Sequence, residues 1–384
     1  MFTHSFLQHY WWFLISLIAG IFSFLLFVQG GQSMLFSLSK TEDEKKLLVN
    51  ALGRKWHYTF TTLVVFGGAF FASFPLFYST SFGGAYWVWM IILFSFTLQA
   101  VSYQFQSQVG NFLGAKTYRS FLVINGLIGT FVVGVALATF FTGSEFTVGK
   151  GNITGLGSGG IVISQWQNPW HGLEALLNLR NLSLGLTVLF LARTMACLFF
   201  INRLDHPVLQ KRTHMYLTYN AVPFVLFFLT FVIWTLFSDG FAVNPDTKQV
   251  YMENMKYLNN FLEMPILLVV FVVGVVAVLY GIIVSALKPE FRKGVWFTGI
   301  GAILTVSMLI FITGVNNTAF YPSVTDLQSS LTIQNSSASM FSLKAMSWVS
   351  LFIPVVIAYI FYAWNALEDK HISLDDIKAE KNSY

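Results

Sequence analysis

Two long apolar runs joined by a short uncharged segment form the clearest pattern in the chain. The runs cover residues 57–79 and 85–107, and the turn at 80–86 contains no charged side chain. Each run is long enough to cross about 30 Å of hydrocarbon at a rise of about 1.5 Å per residue. The pattern therefore predicts a hairpin of two membrane-spanning helices that turn at the membrane surface.

The apolar pattern continues along the chain and predicts nine membrane-spanning helices. Their predicted bounds are 10–38, 57–79, 85–107, 120–142, 173–202, 213–238, 261–287, 294–315 and 346–367. Residues 1–367 are therefore interpreted as one all-α polytopic membrane domain, followed by a short, charged cytoplasmic tail at 368–384. The polar stretch 316–344 is expected to pack on the outer surface.

The basic residues alternate between the two sides of the predicted helices. Of the 22 Lys and Arg residues, sixteen follow odd-numbered helices, four follow even-numbered helices, and two, Arg180 and Arg193, fall within the fifth. Because cytoplasmic loops are enriched in Lys and Arg, this bias predicts an outer N-terminus and a cytoplasmic C-terminus. The alternation also favours nine helices over eight.

Composition excludes the soluble classes of protein. The 384 residues are 55% hydrophobic and only 10% charged, whereas soluble domains carry about 25% charged residues. The net charge of +5 indicates no nucleic-acid binding, since the basic residues lie in short loops rather than on one polar face.

The single Cys197 excludes a disulfide or a Cys-based metal site within the chain. The start of the sequence has no basic n-region and no small-residue cleavage site, so the first helix is expected to be retained.

Uncharged polar residues mark the ends of two predicted helices. Gln29 and Gln32 lie three residues apart near the end of the first helix. Four residues of the third helix share one face at i, i+3, i+4 and i+7 spacing: Gln99, Ser102, Tyr103 and Gln106. Such a face packs against protein or water rather than lipid. Two interpretations stay open: a hydrated proton path or subunit seam, and ordinary hydrogen bonding between helices.

Two ionisable residues of the predicted helices are candidates for a function, because charge is costly in hydrocarbon. Arg193 precedes Arg203 by ten residues, which places it about 15 Å from the cytoplasmic end of its helix. It is interpreted either as the partner of a carboxylate or haem propionate of another subunit, or as an Arg that bonds helix carbonyls or lines a wet crevice. Glu263 precedes Pro265 at the outer start of the seventh helix, where an interfacial cap or solvated carboxylate is the simpler interpretation.

None of the histidines lies near the middle of a predicted helix. They are His4, His9, His57, His171, His206, His214 and His371. The sequence also contains no HxxxH pair, no CxxCH motif and no cysteine cluster. The pattern therefore gives no support for a haem or metal bound by this chain.

The hairpin carries a fingerprint rich in glycine and aromatic residues. It reads GGAFFASFP from Gly67 to Pro75, followed by Tyr78 and by FGGAY from Phe82 to Tyr86. This pattern resembles subunit II of the cytochrome bd quinol oxidases, where it is close to GGALFAAFP, then a Tyr, then F-x-G-x-Y. Further matching positions are Asn168, Pro169, Pro265, Phe320-Tyr321-Pro322-Ser323, Ser330-Leu331-Thr332, Met346, Trp348, Pro354, Tyr359 and Trp364.

The resemblance implies a haem-free subunit built of two four-helix bundles plus a peripheral helix. Its partner is expected to be the larger subunit I, which would hold haem b, haem d and the quinol site, so no catalytic, cofactor-binding or metal residue is assigned to this chain. The complex would oxidise membrane quinol, reduce O₂ to water and build a proton gradient across the bacterial cytoplasmic (inner) membrane. Lipid, quinone and, where one is present, a small accessory subunit are further expected partners. This chain would stabilise subunit I and shape its proton or oxygen access.

The chain departs from the family at three polar motifs. Gln29-Gly30-Gly31-Gln32 stands where the family usually has Asp-Gly-Phe-Asp, and Trp56-His57-Tyr58-Thr59 stands where it has Trp-Asp-Gly-Asn. In the third helix Gln99-Ala100 replaces Arg-Pro, and Gln104-Phe105-Gln106 replaces an acidic-aromatic-Arg run. Acids and their basic partners are lost together, which favours a neutral hydrogen-bonded network, since an unpaired buried charge is costly. His57 is the titratable residue that remains near this place, and it is hypothesised to relay protons.

Two other classes of function stay open. One is a stand-alone polytopic transporter or channel, although ion-coupled transporters usually place ionisable groups at midplane, which this chain nearly lacks. The other is a scaffold that has lost oxidase function, given the neutral motifs. A neighbouring gene for a larger subunit with His and Met haem ligands would favour the oxidase.

Overall fold

The computed structural model describes residues 3–108, 110–149 and 163–366, and this part of the chain is predominantly helical. Its α-helices are α1 (His4–Leu25), α2 (Phe27–Ser33), α3 (Leu35–Leu38), α4 (Glu42–Gly53), α5 (Trp56–Ser73), α6 (Pro75–Phe77), α7 (Tyr86–Phe105), α8 (Ala115–Ile124), α9 (Thr130–Thr142), α10 (Leu179–Arg203), α11 (Pro207–Leu236), α12 (Lys256–Glu263), α13 (Pro265–Leu287), α14 (Gly294–Gly314), α15 (Ile333–Ser336), α16 (Met340–Ser350) and α17 (Ile353–Ala366). Shorter helical turns are the π-helices Tyr78–Gly84 and Asn125–Gly129 and the 3-10 helices Leu173–Leu177 and Leu327–Ser329. Two small antiparallel sheets pair β1 (Phe146–Val148) with β2 (Ser164–Trp166) and β3 (Gly240–Val243) with β4 (Val250–Glu253).

Up to nine segments of the described residues can cross a membrane, in agreement with the predicted number. Eight are helices that are long and apolar enough to do so as they stand. The ninth consists of α5, α6 and the π-helix that follows, and it is bent by 116° at the break before Pro75. Pro75 favours the break because it has no backbone N–H to donate into the preceding turn.

Several predicted boundaries are wrong, each for a local reason. The second span does not continue straight to residue 79, because the chain bends before Pro75. The first span begins at His4 rather than at residue 10, since the hydroxyl of Thr3 caps α1. The sixth begins at Pro207 rather than at residue 213, because proline suits the first position of a helix. The seventh begins at Pro265 rather than at residue 261, and a separate helix, α12, precedes it.

The spans pack as two four-helix bundles with one peripheral helix. The first bundle consists of α1–α2, α5, α7 and α8–α9, and the second consists of α10, α11, α13 and α14. The bundles join where α10 packs against α2 and α9 and where α14 packs against α1. Helices α16 and α17 lie outside both bundles, and only 6% of their most apolar window is buried. The predicted tail at 368–384, with His371, lies outside the described residues.

An aromatic core connects the first bundle to the polar stretch 316–344. Phe320 and Tyr321 are almost fully buried. The ring centroid of Phe320 lies 4.5 Å from that of Trp12 and 5.7 Å from that of Phe74. Tyr321 and Leu331 exchange backbone hydrogen bonds of 3.2 and 2.9 Å. The stretch therefore packs onto the end of the bundle, as its aromatic residues predict.

A helix that the sequence analysis did not predict, α4, follows the first span. The hydroxyl of Thr41 accepts a hydrogen bond from the N–H of Glu44 at 3.2 Å, and the Glu44 carboxylate accepts one from the N–H of Thr41 at 3.3 Å. This reciprocal capping box needs Thr or Ser three residues before Glu, a spacing that is present in the sequence. Together α3 and α4 are called the elbow below.

Candidate functional site

Three buried glutamines form a hydrogen-bonded cluster between the first and third spans. Gln29 and Gln32 on α2 donate through Nε2 to Oε1 of Gln99 on α7, at 2.5 and 3.0 Å. Gln32 Nε2 also donates to the hydroxyl oxygen of Tyr103, at 3.0 Å. All three glutamines are fully buried, and with Tyr103 they are called the amide cluster. The structure thus brings together the polar patterns of two separate predicted helices.

Close backbone contacts hold α2 against its neighbours. A Cβ atom added at Gly126 would lie 2.4 Å from the carbonyl oxygen of Gln29, and one added at Gly30 would lie 2.0 Å from the carbonyl oxygen of Ala192. Any larger side chain at either position would clash with backbone, so this packing requires glycine. The approach surrounds α2 with protein and keeps lipid away from the amide cluster.

The amide cluster leaves three buried polar atoms unpaired. Gln29 Oε1, Gln32 Oε1 and Gln99 Nε2 have no hydrogen-bond partner in the part of the chain that the structure describes. Exchanging the oxygen and nitrogen positions of all three amides reverses the bonds but again leaves three atoms unpaired. An unpaired buried polar group costs about 1–3 kcal/mol. The cluster therefore has room in its hydrogen-bond pattern for a small molecule that both donates and accepts.

Two further predicted residues lie at the rim of the cluster. Gln106 is buried at the end of α7, and its Nε2 has no partner among the described residues. The ring of Tyr103 stacks on Trp56 with centroids 5.8 Å apart, and the ring of Trp56 lies 3.8 Å from that of His57. His57 is exposed on α5. It therefore adjoins the cluster through two aromatic rings.

Neither predicted charged residue joins the amide cluster. Arg193 is half-buried on α10, with its guanidinium carbon 5.9 Å from the ring centroid of Phe190. Its Nε has no hydrogen-bond partner in the described part of the chain. Glu263 is exposed at the end of α12, where its carboxylate accepts a hydrogen bond from Asn316 Nδ2 at 2.6 Å. It thus lies before the seventh span, not within its first turn, and has the position of a surface carboxylate.

An ion pair that the sequence analysis did not predict fastens the elbow to α11. The guanidinium of Arg212 donates to both carboxylate oxygens of Glu44, at 2.7 and 3.0 Å, and to the carbonyl oxygen of Leu38. These bonds from Arg212, with further bonds from the N–H groups of Lys40 and Thr41, lower the pKa of Glu44 to about 2, although burial opposes the shift. The capping spacing indicates the helix, but nothing in the sequence pairs Glu44 with a residue 168 positions away.

A buried lysine anchors the peripheral helix. Lys55 is almost fully buried, and its Nζ lies 3.6 Å from the ring centroid of Trp364 at the end of α17. The same ring lies 5.4 Å from Tyr58 and 6.1 Å from Trp296. A cation over the face of an indole is attracted by the ring. The contact therefore fixes one end of a helix that is otherwise exposed.

Two of the cavities lined by described residues combine side chains from several elements, and neither was predicted from the sequence. The first, about 130 Å³, is apolar and is enclosed by α1, α9, α10, α11, α13 and α14. The second, about 150 Å³, is polar and lies beside β1 and β2, with Glu145, Glu174, Asn181 and Tyr321 among its lining residues. Both depend on side chains from several elements, which no local pattern places together.

Two histidines of the described region, His206 and His171, make local structural contacts. His206 Nδ1 accepts a hydrogen bond from the N–H of Leu209 and caps α11, and a ring nitrogen of His171 lies 3.0 Å from the carbonyl oxygen of Gly84. Within the described residues, no group of three or more His, Cys, Asp or Glu side chains is placed to hold a metal ion.

Comparisons with known proteins cover almost the whole chain. The sequence model of the family described as "Cytochrome bd terminal oxidase subunit II" matches residues 7–367. The chain is 24% identical over 404 residues to cytochrome bd-I ubiquinol oxidase subunit 2 of Escherichia coli (strain K12), with 100% of each chain covered. It is 25% identical over 359 residues to cytochrome bd ubiquinol oxidase subunit 2 of Bacillus subtilis (strain 168), which covers 91% of this chain and 92% of the relative.

A solved structure shares the fold. A chain of the bd oxidase from Geobacillus thermodenitrificans matches with a TM-score of 0.56 and 12% sequence identity, over 94% of this chain and 95% of that chain. At this identity the likeness concerns the fold alone, and it agrees with the helical architecture described above.

Proposed function

The chain belongs to the family of cytochrome bd terminal oxidase subunits II, and from this premise we propose how it works within its complex. It is a subunit of a quinol:O₂ oxidoreductase, with catalysis mainly elsewhere in the complex, and the stand-alone transporter is not favoured. We propose that the larger subunit binds haem b and haem d and oxidises the quinol. This chain, in the bacterial inner membrane, is proposed to hold that subunit in its active form.

The proposed docking face is formed by α5 and α7. Exposed side chains on it combine polar, small and aromatic residues with aliphatic ones: His57, Thr61, Val64, Val65, Gly68, Phe71, Trp87, Met90, Leu93, Phe94, Thr97, Val101 and Phe105. The exposed face of α13 is instead mainly aliphatic: Ile266, Val269, Val272, Val273, Val276, Tyr280, Ile283 and Leu287. Small and polar residues are typical of contacts between membrane helices, whereas aliphatic residues suit lipid. The contrast favours α5 and α7 for protein contact and α13 for lipid.

Open space at two glycines is the observation that carries this proposal. A Cβ atom added at Gly68 or Gly83 would meet no atom within 4 Å. Glycine lowers helix stability by about 1 kcal/mol relative to alanine, so it needs a reason at Gly68 in the middle of α5. Nothing in the described part of the chain approaches these positions closely. We infer that a helix of the larger subunit does so.

The test introduces tryptophan at Gly68 and, as a matched control, at Val272 on the aliphatic face of α13. Both positions are exposed, and a Cβ atom added at Gly68 meets no atom of the described chain within 4 Å. Gly68→Trp is expected to lower the haem that co-purifies with the tagged chain by about tenfold, because overpacking an interface costs about 1–3 kcal/mol. Val272→Trp is expected to leave it unchanged. Equal haem yields from the two variants would exclude this docking face.

We also propose that the amide cluster is hydrated and adjoins the subunit seam. Its unpaired atoms include acceptors and a donor, and water satisfies both kinds at once. Because amides carry no titratable proton at neutral pH, any proton transfer there depends on the bound water and on His57. His57 lies on the proposed docking face, so it is the group through which this subunit would assist proton access.

The apolar cavity supports the proposed role in oxygen access. A cavity without polar lining stays dry and accepts small apolar molecules. Its walls come from both bundles, including Phe22 of α1, Val188 of α10 and Ala302 of α14. We propose it as a place where O₂, or the apolar tail of a quinone, resides within this subunit.

A further inference from the structure

Arg193 carries a charge that no acidic residue of the described region balances. It is absent from the ion pairs of that region, and its Nε makes no hydrogen bond there. Among the described residues, the ionisable side chains that interact electrostatically with this charge are those of Cys197 and Tyr216. The hydroxyl of Tyr216 donates to the carbonyl oxygen of Ser37 at 3.0 Å. A partly buried cation without an anion is costly, so the site needs an anionic ligand.

The surface of α10 places Arg193 at the edge of the hydrocarbon region. A half-exposed stripe runs along this helix through Leu182, Leu186 and Phe190 and ends at Arg193. The following turns, 194–201, are buried, and the elbow packs on them. The last ten residues of α10 therefore lie under protein rather than in lipid. Arg193 therefore does not lie at the membrane midplane, although it is about 15 Å from the end of its helix.

The surface of α11 changes character at the same level. Its exposed stripe is apolar at Leu226 and Val222, and it then continues through Tyr219 and Met215 to Lys211. Tyrosine is enriched where the membrane meets water, and lysine follows it outward. Tyr216, the neighbour of Arg193, belongs to this interfacial part of α11. Both helices thus indicate that Arg193 lies at the depth of lipid headgroups.

We propose that Arg193 binds the phosphate of a membrane phospholipid whose acyl chains lie along the apolar stripes of α10 and α11. Phosphate is the anion that lipids place at this depth, and a guanidinium bonds it with two parallel N–H groups. Arg193 lies on α10 of the second bundle, whereas the docking face proposed above uses α5 and α7 of the first. The occupant is therefore a lipid rather than the larger subunit.

The test measures phospholipid binding to the complex purified through a tag on this chain. After delipidation in mild detergent, the complex is titrated with phosphatidylglycerol, and bound lipid is counted per copy of this chain by native mass spectrometry. Arg193→Gln is expected to weaken the tightest lipid site by about tenfold, since a charge-assisted hydrogen bond is lost. Arg180→Gln is the matched control, because Arg180 is also half-buried on α10 but donates to the carbonyl oxygen of Phe141. It is expected to leave lipid binding unchanged.

Three outcomes would overturn the proposal. Unchanged lipid affinity in Arg193→Gln would remove Arg193 from any lipid site. Displacement of the bound anion by inorganic phosphate, with no lipid retained by the unaltered chain, would assign the site to a free anion. Loss of the larger subunit in Arg193→Gln at unchanged lipid affinity would assign Arg193 to a carboxylate of that subunit. If Arg193→Gln does not assemble, the same titration is made with Arg193→Lys. A loss of lipid affinity of about threefold or more would support the bond between the guanidinium and the phosphate, and unchanged lipid affinity would exclude it.

Discussion

Two contrasting arrangements of buried polar residues occur in the described part of the chain: a charged pair and a cluster of neutral amides. Glu44 and Arg212 represent the first kind, and the amide cluster represents the second. The glutamine spacings on the first and third helices are visible in the sequence, and they predict polar faces. That Gln29 and Gln32 both meet Gln99 could not be predicted, because it depends on how two helices pack.

Replacing Glu44 by Gln is expected to destabilise the elbow at neutral pH. Breaking a buried ion pair by removing one partner costs about 3 kcal/mol. The pKa of Glu44 falls from 4.5 to about 2 on folding, so its contribution is complete above pH 4.5 and is lost as the pH falls towards 2. The midpoint of thermal unfolding in detergent should therefore be lower for Glu44→Gln than for the unaltered chain at pH 7. The difference between the two midpoints should shrink as the pH falls.

Glu42→Gln is the control for this change. Its carboxylate also pairs with two basic side chains, but it is 64% exposed. Solvent screens such a pair, so its loss is expected to have little effect. Equal effects of the two substitutions at pH 7 would contradict the structural role of the Glu44 pair.

Replacing Gln99 by Leu is expected to disrupt the amide cluster. The change removes the oxygen that accepts from both Gln29 and Gln32 and leaves their buried amides without that partner. A loss of about 2 kcal/mol in the free energy of unfolding is expected, measured as a lower midpoint of thermal unfolding. Gln104→Leu on the same helix is exposed and should change the midpoint little. A cluster that contributes nothing would give the two variants the same midpoint.

Replacing His57 by Phe tests the proposed proton relay. Phenylalanine keeps an aromatic ring against Trp56 but removes the imidazole that would carry the proton. The oxygen consumption of the assembled complex is expected to fall and its pH dependence to change. If both stay as in the unaltered complex, His57 is not a relay.

At the scale of elements, the apolar runs predict where helices lie better than they predict where helices break. Pro75 bends the second span, although its place in the fingerprint was visible from the start. The capping box of α4 was also present in the sequence but lay in a charged segment interpreted as a loop. Contacts between elements, such as Arg212 on Glu44, need the packed structure because their partners are far apart in the chain.

Replacing Trp364 by Ala is expected to release the end of α17. The change removes the ring that lies over Lys55, an interaction worth about 1–2 kcal/mol when shielded from water. Limited proteolysis near the end of α17 should become faster. Trp348→Ala is the control, since Trp348 is 65% exposed. Equal cleavage rates in the two variants would show that the Lys55 contact does not anchor this helix.

For the whole molecule, nine spans and the all-α class could be predicted from the sequence. The described residues agree, with eight spans as they stand and up to nine with the bent pair, in a predominantly helical fold. The division into two bundles came from the family resemblance rather than from the apolar pattern, because periodicity does not say which helices pack together. The orientation predicted from the basic residues stays a prediction. The two cavities described above required the structure, since each combines side chains from several elements.

The central claim is that this chain is the haem-free partner of a larger oxidase subunit. Purification of the tagged chain from its native membrane in mild detergent, followed by a reduced-minus-oxidised optical spectrum, tests it most directly. Haem bands that co-purify with a larger membrane subunit are the predicted result. A colourless protein that purifies alone would contradict the claim.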